Sequence, residues 1–86
     1  MESHKSKVKR IVNTIYDITI NKYVCITHED GTNFIGKCKC YNDNYDIYKP
    51  DDENTSWGLS CETIDDMRDS LLKDFLDGII VNISLY

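Results

Sequence analysis

The chain has no alanine, one proline and four isolated glycines in 86 residues, and it lacks any run of eighteen apolar residues. Without such a run, no segment is expected to cross a membrane as a helix. The amino-terminal stretch MESHKSKVKR is polar and has no apolar segment of the secretory type, so the expected location is the cytoplasm. None of the glycines sits in a phosphate-cradling loop. Histidine is also scarce. His4 falls in the basic amino-terminal arm and His28 beside a turn, and neither has a nucleophile at a spacing that suggests a catalytic pair. No enzyme is expected. The missing alanine belongs to a wider bias: Ile, Asn, Lys and Tyr total 32 residues, whereas Gly, Ala, Pro and Arg total 7. The first set is written in A/T-rich codons, which points to an A/T-rich genome such as a low-GC bacterium or one of its phages.

Four cysteines are present, and without an export signal they are expected to be free thiols rather than disulfides. Cys25, His28, Cys38, Cys40 and Cys61 have the composition of a zinc set. Their spacing argues against it. Residues three apart on a strand point to opposite faces, which separates Cys25 from His28, and Cys38 and Cys40 lack a two-residue gap. Asp51, Glu53, Thr55 and Glu62 imitate positions of a calcium loop, but Ser56 stands where the turn requires glycine. No metal and no cofactor is expected.

The charge, −5 overall, is unevenly spread. Residues 1–10 carry Lys5, Lys7, Lys9 and Arg10 against Glu2, whereas residues 41–77 carry eleven acids against three bases, a balance of −8. Direct DNA binding is not expected of so acidic a chain.

Length and an apolar fraction of 41% fit one small folded domain over residues 1–86. Val8, Ile11, Val12, Ile15 and Tyr16 recur at helical spacing and predict a helix over about 4–16. Two strands follow, YVCITH and TNFIGKCKCY, joined at Glu29-Asp30-Gly31. A three-residue loop ending in Gly31 puts Val24, Ile26, Phe34 and Cys38 on one apolar face. A short strand is predicted around Tyr45–Tyr48, and DDENTSWG reads as an exposed acidic loop pinned by Trp57. In IDDMRDSLLKDFLDG, residues 64–78, Ile64, Met67, Leu71, Leu72, Phe75 and Leu76 form a wide apolar stripe. Ser60 or Thr63 can cap this helix and Gly78 can stop it. Arg68 falls inside the stripe, as a snorkelling side chain or as an ion pair with Asp65 or a loop carboxylate. Ile79, Val81, Ile83 and Leu85 then alternate with Ile80, Asn82 and Ser84 as a closing strand. The class is α+β.

Residues 24–47 resemble the first motif of the Sm-like proteins. Val24 and Ile26 precede Asp30-Gly31, and Phe34, Gly36, Cys38, Tyr41 and Ile47 follow at the family's spacing. The resemblance implies a small, strongly bent antiparallel sheet of SH3 type carrying an amino-terminal helix. Asn42 and Asp46 replace the family's RNA-loop Asp and Asn, Asn44 holds its stacking position, and no Arg-Gly second motif is present. An Sm-like RNA-binding module, able to oligomerise, is therefore the alternative reading.

The leading reading comes from the acids. Asp66, Asp69, Asp74 and Asp77 fall off the apolar stripe, and Asp51, Asp52 and Glu53 lie in the preceding loop. Aspartate is a weaker helix former than glutamate, yet every acid in 64–78 is Asp, so helix stability did not select it. Such acids also suit a solvated face. As a row they would imitate duplex phosphates, with Tyr45, Tyr48 and Trp57 as aromatic anchors. In size and charge, and in lacking enzyme motifs, the chain is similar in kind to phage-encoded anti-defence proteins such as anti-CRISPR inhibitors. The expected partner is a positively charged groove on a host nucleic-acid-binding protein or complex, which the chain would block.

Overall fold

The computed structural model describes residues 1–86 as α1 (His4–Tyr16), β1 (Tyr23–His28), β2 (Asn33–Tyr41), β3 (Asn44–Lys49), β4 (Asp52–Ser56), α2 (Ile64–Leu76) and β5 (Ile80–Leu85). The strands form one antiparallel sheet in the order β4-β3-β2-β1-β5. The first four make a meander, and α2 carries the chain from one edge of the sheet to the other. The sheet is open, with β4 and β5 at its edges. The protein is thus an α+β fold with an amino-terminal helix and a second helix before the last strand. Neither helix is long and apolar enough to cross a membrane.

Both helices cover the same face of the sheet. Ile11 and Ile15 of α1, Met67 and Leu71 of α2, and Val24, Ile26, Cys38, Ile47 and Ile83 of the strands form one fully buried core. Each isoleucine removed from water contributes roughly 1.5–3 kcal/mol, so the many isoleucines of the composition serve as the core's main filling. Ser3 caps α1 by accepting from the Ser6 amide at 3.1 Å. Thr63 caps α2 by accepting from the Asp66 amide at 3.0 Å, and Gly78 ends it with φ +81°. Arg68 takes the ion-pair option rather than snorkelling, with its side chain 16% exposed, and adds a backbone contact. Its guanidinium pairs with Asp65 at 2.9 Å, and its Nε and Nη2 donate to the Ile18 carbonyl at 3.0 and 2.6 Å. That carbonyl lies in the α1–β1 connection, so Arg68 ties α2 to it.

The β1–β2 hairpin closes through Glu29-Asp30-Gly31, with the His28 amide donating to the Thr32 carbonyl at 2.8 Å and Gly31 at φ +89°. Val24 faces Gly36 and Ile26 faces Phe34, which sets the core face in the predicted register. Gly36 is required by close approach: a Cβ there would stand 2.6 Å from Ile47 Cγ2 and 2.8 Å from the Tyr48 carbonyl oxygen. Such a glycine marks a place where strands crowd together.

Two expectations need correction. The acidic stretch after Pro50 contains an edge strand, β4, in which Asp52 pairs with Lys49 and Ser56 with Tyr48 across a register shift. Its side chains lie mostly in solvent, so no apolar alternation announces it. In β5 the inward residues are Ile80 and Ile83 rather than an unbroken alternation. A shift in pairing between Thr27 and His28 moves the inward positions by one residue at that point.

Candidate acidic interface

Trp57 occupies the position where three parts of the chain meet. Its amide donates to the Ile47 carbonyl at 2.9 Å, and its indole N–H donates to Asp74 Oδ2 of α2 at 3.0 Å. The ring stands edge-on to Phe34 of β2 at 5.7 Å and tilted against His28 at the end of β1 at 5.9 Å. The segment after it is anchored from below by Asp46, which is 1% exposed. Asp46 Oδ2 accepts from the amides of Gly58, Leu59 and Ser60 at 3.2, 2.9 and 3.4 Å, and Oδ1 accepts from the Ile47 amide at 2.7 Å. A buried carboxylate is costly unless hydrogen-bonded, and four amides meet that need here. Positive φ at Gly58 and Ser60 lets the segment curl over the carboxylate. The chain then rejoins β3 through Cys61, paired with Tyr45.

Acids stand on several of the segments that meet at Trp57. Glu29 and Asp30 follow its neighbour His28, and the Glu29 amide donates to the Ile79 carbonyl at 2.9 Å, which draws the turn to the end of α2. Asp77 caps that end. Asp51 in the β3–β4 turn and Asp52 and Glu53 at the start of β4 are all exposed, and the Lys49 ammonium at the end of β3 lies 5.3 Å from the Phe34 ring. Asp30 accepts from the Thr32 hydroxyl and amide at 2.7 and 2.9 Å, which holds its carboxyl below the usual range. Asp52 is lowered in the same way by the Thr55 hydroxyl and the Asn54 amide. The balancing cations are few. Lys73 pairs with Asp77 at 3.2 Å, and Lys49 is turned to the aromatic cluster.

The aspartates of α2 do not form one row. Asp66 is exposed at the amino-terminal half, and Asp69 accepts from the Tyr16 hydroxyl at 3.4 Å beside α1. Asp66 and Asp77 are roughly 16 Å apart along the axis. Over the span from Asp65 to Asp77 a duplex would present about eleven phosphates. The helix presents five carboxylates, of which Asp65, Asp74 and Asp77 already hold Arg68, Trp57 and Lys73. The expected helical row of phosphate mimics is thus replaced by two groups, Asp66 with Asp69 and the corner at Trp57. Glu29 and Asp30 were legible only as turn residues, because their place depends on where β5 enters the sheet.

The three aromatic candidates are also placed differently from expectation. Tyr48 is 8% exposed, its hydroxyl donates to the Asn44 carbonyl at 2.9 Å, and Tyr41 stands edge-on to it. Burial pushes its phenol up. Tyr45 packs against the core and Trp57 is half-buried. All three hold the fold rather than standing free as anchors.

The four thiols are free. Cys38 Sγ is buried 3.7 Å from Met67 Sδ, and Cys61 Sγ lies 3.4 Å from Ser70 Oγ. Cys25 is on the opposite sheet face and Cys40 is exposed. No three His, Cys, Asp or Glu side chains converge as a metal-binding group. The surface has no pocket. Comparison with protein families, curated proteins and solved structures finds nothing that matches the chain.

Proposed function

We propose that this protein is a non-enzymatic interaction protein whose acidic corner docks on a cationic, nucleic-acid-binding groove of a partner and blocks it. The supporting observation is that exposed acids stand on the segments that meet at Trp57: Glu29 and Asp30 follow its neighbour His28, Asp77 follows its partner Asp74 on α2, and Asp51, Asp52 and Glu53 precede it along the chain. Carboxylates fixed by their own turns, as at Asp30 and Asp52, hold their charge without the entropy cost of long flexible side chains. Such a patch speeds encounter with a cationic surface and makes it salt-sensitive. Small size, net charge of −5 and an A/T-rich codon bias fit the more specific form of this reading, a phage or mobile-element accessory acting on a host defence complex.

The test is affinity capture from nuclease-treated host lysate with the wild-type chain and with a Glu29→Lys, Asp51→Lys, Glu53→Lys variant, chosen because these side chains make no hydrogen bond. A partner that the variant fails to retain, and that duplex DNA displaces from the wild type, supports the reading. A partner retained equally by both, or indifferent to DNA, defeats it. Loss caused instead by Asp66→Lys with Asp69→Lys would move the interface to the first half of α2.

A further inference from the structure

The sheet face turned away from both helices carries a different chemistry. Alternation places Tyr23 of β1, Ile35, Lys37 and Lys39 of β2, and Tyr86 after β5 on this side, opposite the buried Val24, Gly36, Cys38 and Ile83. Over β1 and the start of β2 the face is open, with Tyr23, Ile35 and Tyr86 41%, 45% and 69% exposed, whereas at β3 the segment Gly58–Ser60 covers Asp46. The chain has fifteen acids, yet the only carboxylate at these strand positions is Asp46, which is buried with both oxygens bound to backbone amides. The exposed charges beside Tyr23 and Ile35 are therefore Lys37 and Lys39, with Glu53 of the edge strand β4 near Tyr48 on the far side of Lys37.

The tyrosines and lysines are in register. Tyr23 is cross-strand from Lys37, whose ammonium lies 5.0 Å from the Tyr23 ring centre, and the Tyr86 amide donates to the Tyr23 carbonyl at 3.2 Å. Adjacent strands are about 4.8 Å apart, so Tyr86, Tyr23 and Lys37 form a continuous row across three strands, with Lys39 two residues along. Open aromatic rings beside ammonium groups are what unpaired bases and their phosphates require together. We propose that this face binds single-stranded nucleic acid, with bases stacked on Tyr23 and Tyr86 and phosphates held by Lys37 and Lys39.

Other occupants fit less well. An acidic peptide would satisfy the ammonium groups but leave the ring faces without planar partners. A duplex keeps its bases stacked on each other and would find only two cations. The acidic corner does not prevent binding, because its field is screened over about 8 Å at physiological ionic strength.

The proposal is independent of the reading given for the acidic corner. It is tested by fluorescence anisotropy of a labelled short oligothymidine, starting near 50 mM salt, where phosphate contacts are strong. Tyr23→Ala and Tyr86→Ala are each expected to weaken binding by about tenfold or more, while Tyr23→Phe retains it. Two phosphate contacts give a log–log salt slope of about −1.4, which Lys37→Gln with Lys39→Gln should flatten. The Glu29, Asp51, Glu53 variant should bind the oligonucleotide as the wild type does. Amide shift changes should fall on β1, β2 and β5. Absence of binding, equal affinity for a duplex, or binding that survives all four alanine and glutamine substitutions overturns the proposal. So does a shift map centred on the lysines of α1, or a dimer whose dissociation follows the same substitutions.

Discussion

The indole N–H of Trp57 donates to the carboxylate of Asp74 across 3.0 Å, joining the segment after β4 to the far half of α2. This bond fixes how the helix lies over the open sheet at the edge where no strand continues it. Hydrogen bonds to charged groups contribute roughly 1.5–3 kcal/mol, and this one is half-buried. Asp74→Ala is therefore expected to lower stability by about 1–2 kcal/mol. Trp57→Phe should cost at least as much, through the same bond and lost contacts with Phe34 and His28. In urea unfolding the double variant should be less destabilised than the two singles added together; full additivity would mean the bond contributes nothing.

Asp46 gives the sharpest stability prediction. Removing its carboxylate leaves the amides of Ile47, Gly58, Leu59 and Ser60 without their acceptor. Each unsatisfied buried amide costs about 1–3 kcal/mol, and water will reach some of them, so Asp46→Ala should cost about 3–5 kcal/mol. Hydrogen exchange at residues 58–60 should accelerate more than elsewhere. The same geometry bears on the RNA-binding alternative, since a carboxylate committed on both oxygens has nothing left to offer a nucleotide. If Asp46→Asn weakened oligouridine binding with stability unchanged, that account of Asp46 would be wrong.

Gly36 tolerates no side chain as the strands now lie. A methyl group would overlap Ile47 Cγ2 and the Tyr48 carbonyl, and the latter is backbone that cannot rotate aside. Gly36→Ala is expected to destabilise by about 1–3 kcal/mol or more. A control at Gly58, where the Cβ meets nothing but φ is +99°, separates overlap from backbone strain. Thermal unfolding of both variants provides the comparison.

Thiol chemistry should follow burial. Cys38 is fully buried, and burial pushes its thiol up to about 11, whereas Cys40 is exposed. With an aromatic disulfide reagent at pH 8, Cys40 should react promptly and Cys38 only on unfolding. The raised value also sets a direction with pH. The unfolded thiol, near 9.0, releases its proton before the folded one does, so stability present below about 9 is lost as pH rises toward 11. Cys38→Ser should reduce that alkaline loss. Fast labelling of Cys38 in the native state would contradict its placement.

Acid should act on the two turns in the opposite sense. The folded carboxyls of Asp30 and Asp52 lie below 3.8, held there by hydroxyl and amide donors. Their stabilisation is complete above the unfolded value and is lost as pH falls through the lower folded one. Exchange at the Thr32 and Asn54 amides is expected to rise in that window, ahead of the core strands. No change there would show that the turns do not depend on these carboxylates.

The sequence disclosed this fold where a periodic pattern coincides with burial. Both helices, the β1–β2 hairpin register, the Thr63 cap and the pinning of Trp57 could all be read from local spacing. What escaped was set at a distance. β4 has no apolar face, because it lies on an edge and only its backbone matters. The inward switch to Ile80 depends on an irregularity opposite it in β1. Asp46 read only as a strand residue at the Sm-like RNA-loop position, since nothing near it in sequence announces the three amides twelve to fourteen residues on. The acidic helix was visible, but its division was not: Trp57, Lys73 and Arg68 claim carboxylates according to where each side chain ends up in space. The bare Tyr–Lys face was written in the alternation of β1 and β2, and became apparent only once both helices were seen to choose the other side.

The open sheet leaves β4 with unpaired backbone along one side, the kind of border to which another polypeptide can add. Pro50 two residues before it, the misaligned pairing at Tyr48 and Lys49, and the charges of Asp52 and Glu53 all make that border a poor template. Copies of the chain meeting through β4 would repel at the first contact.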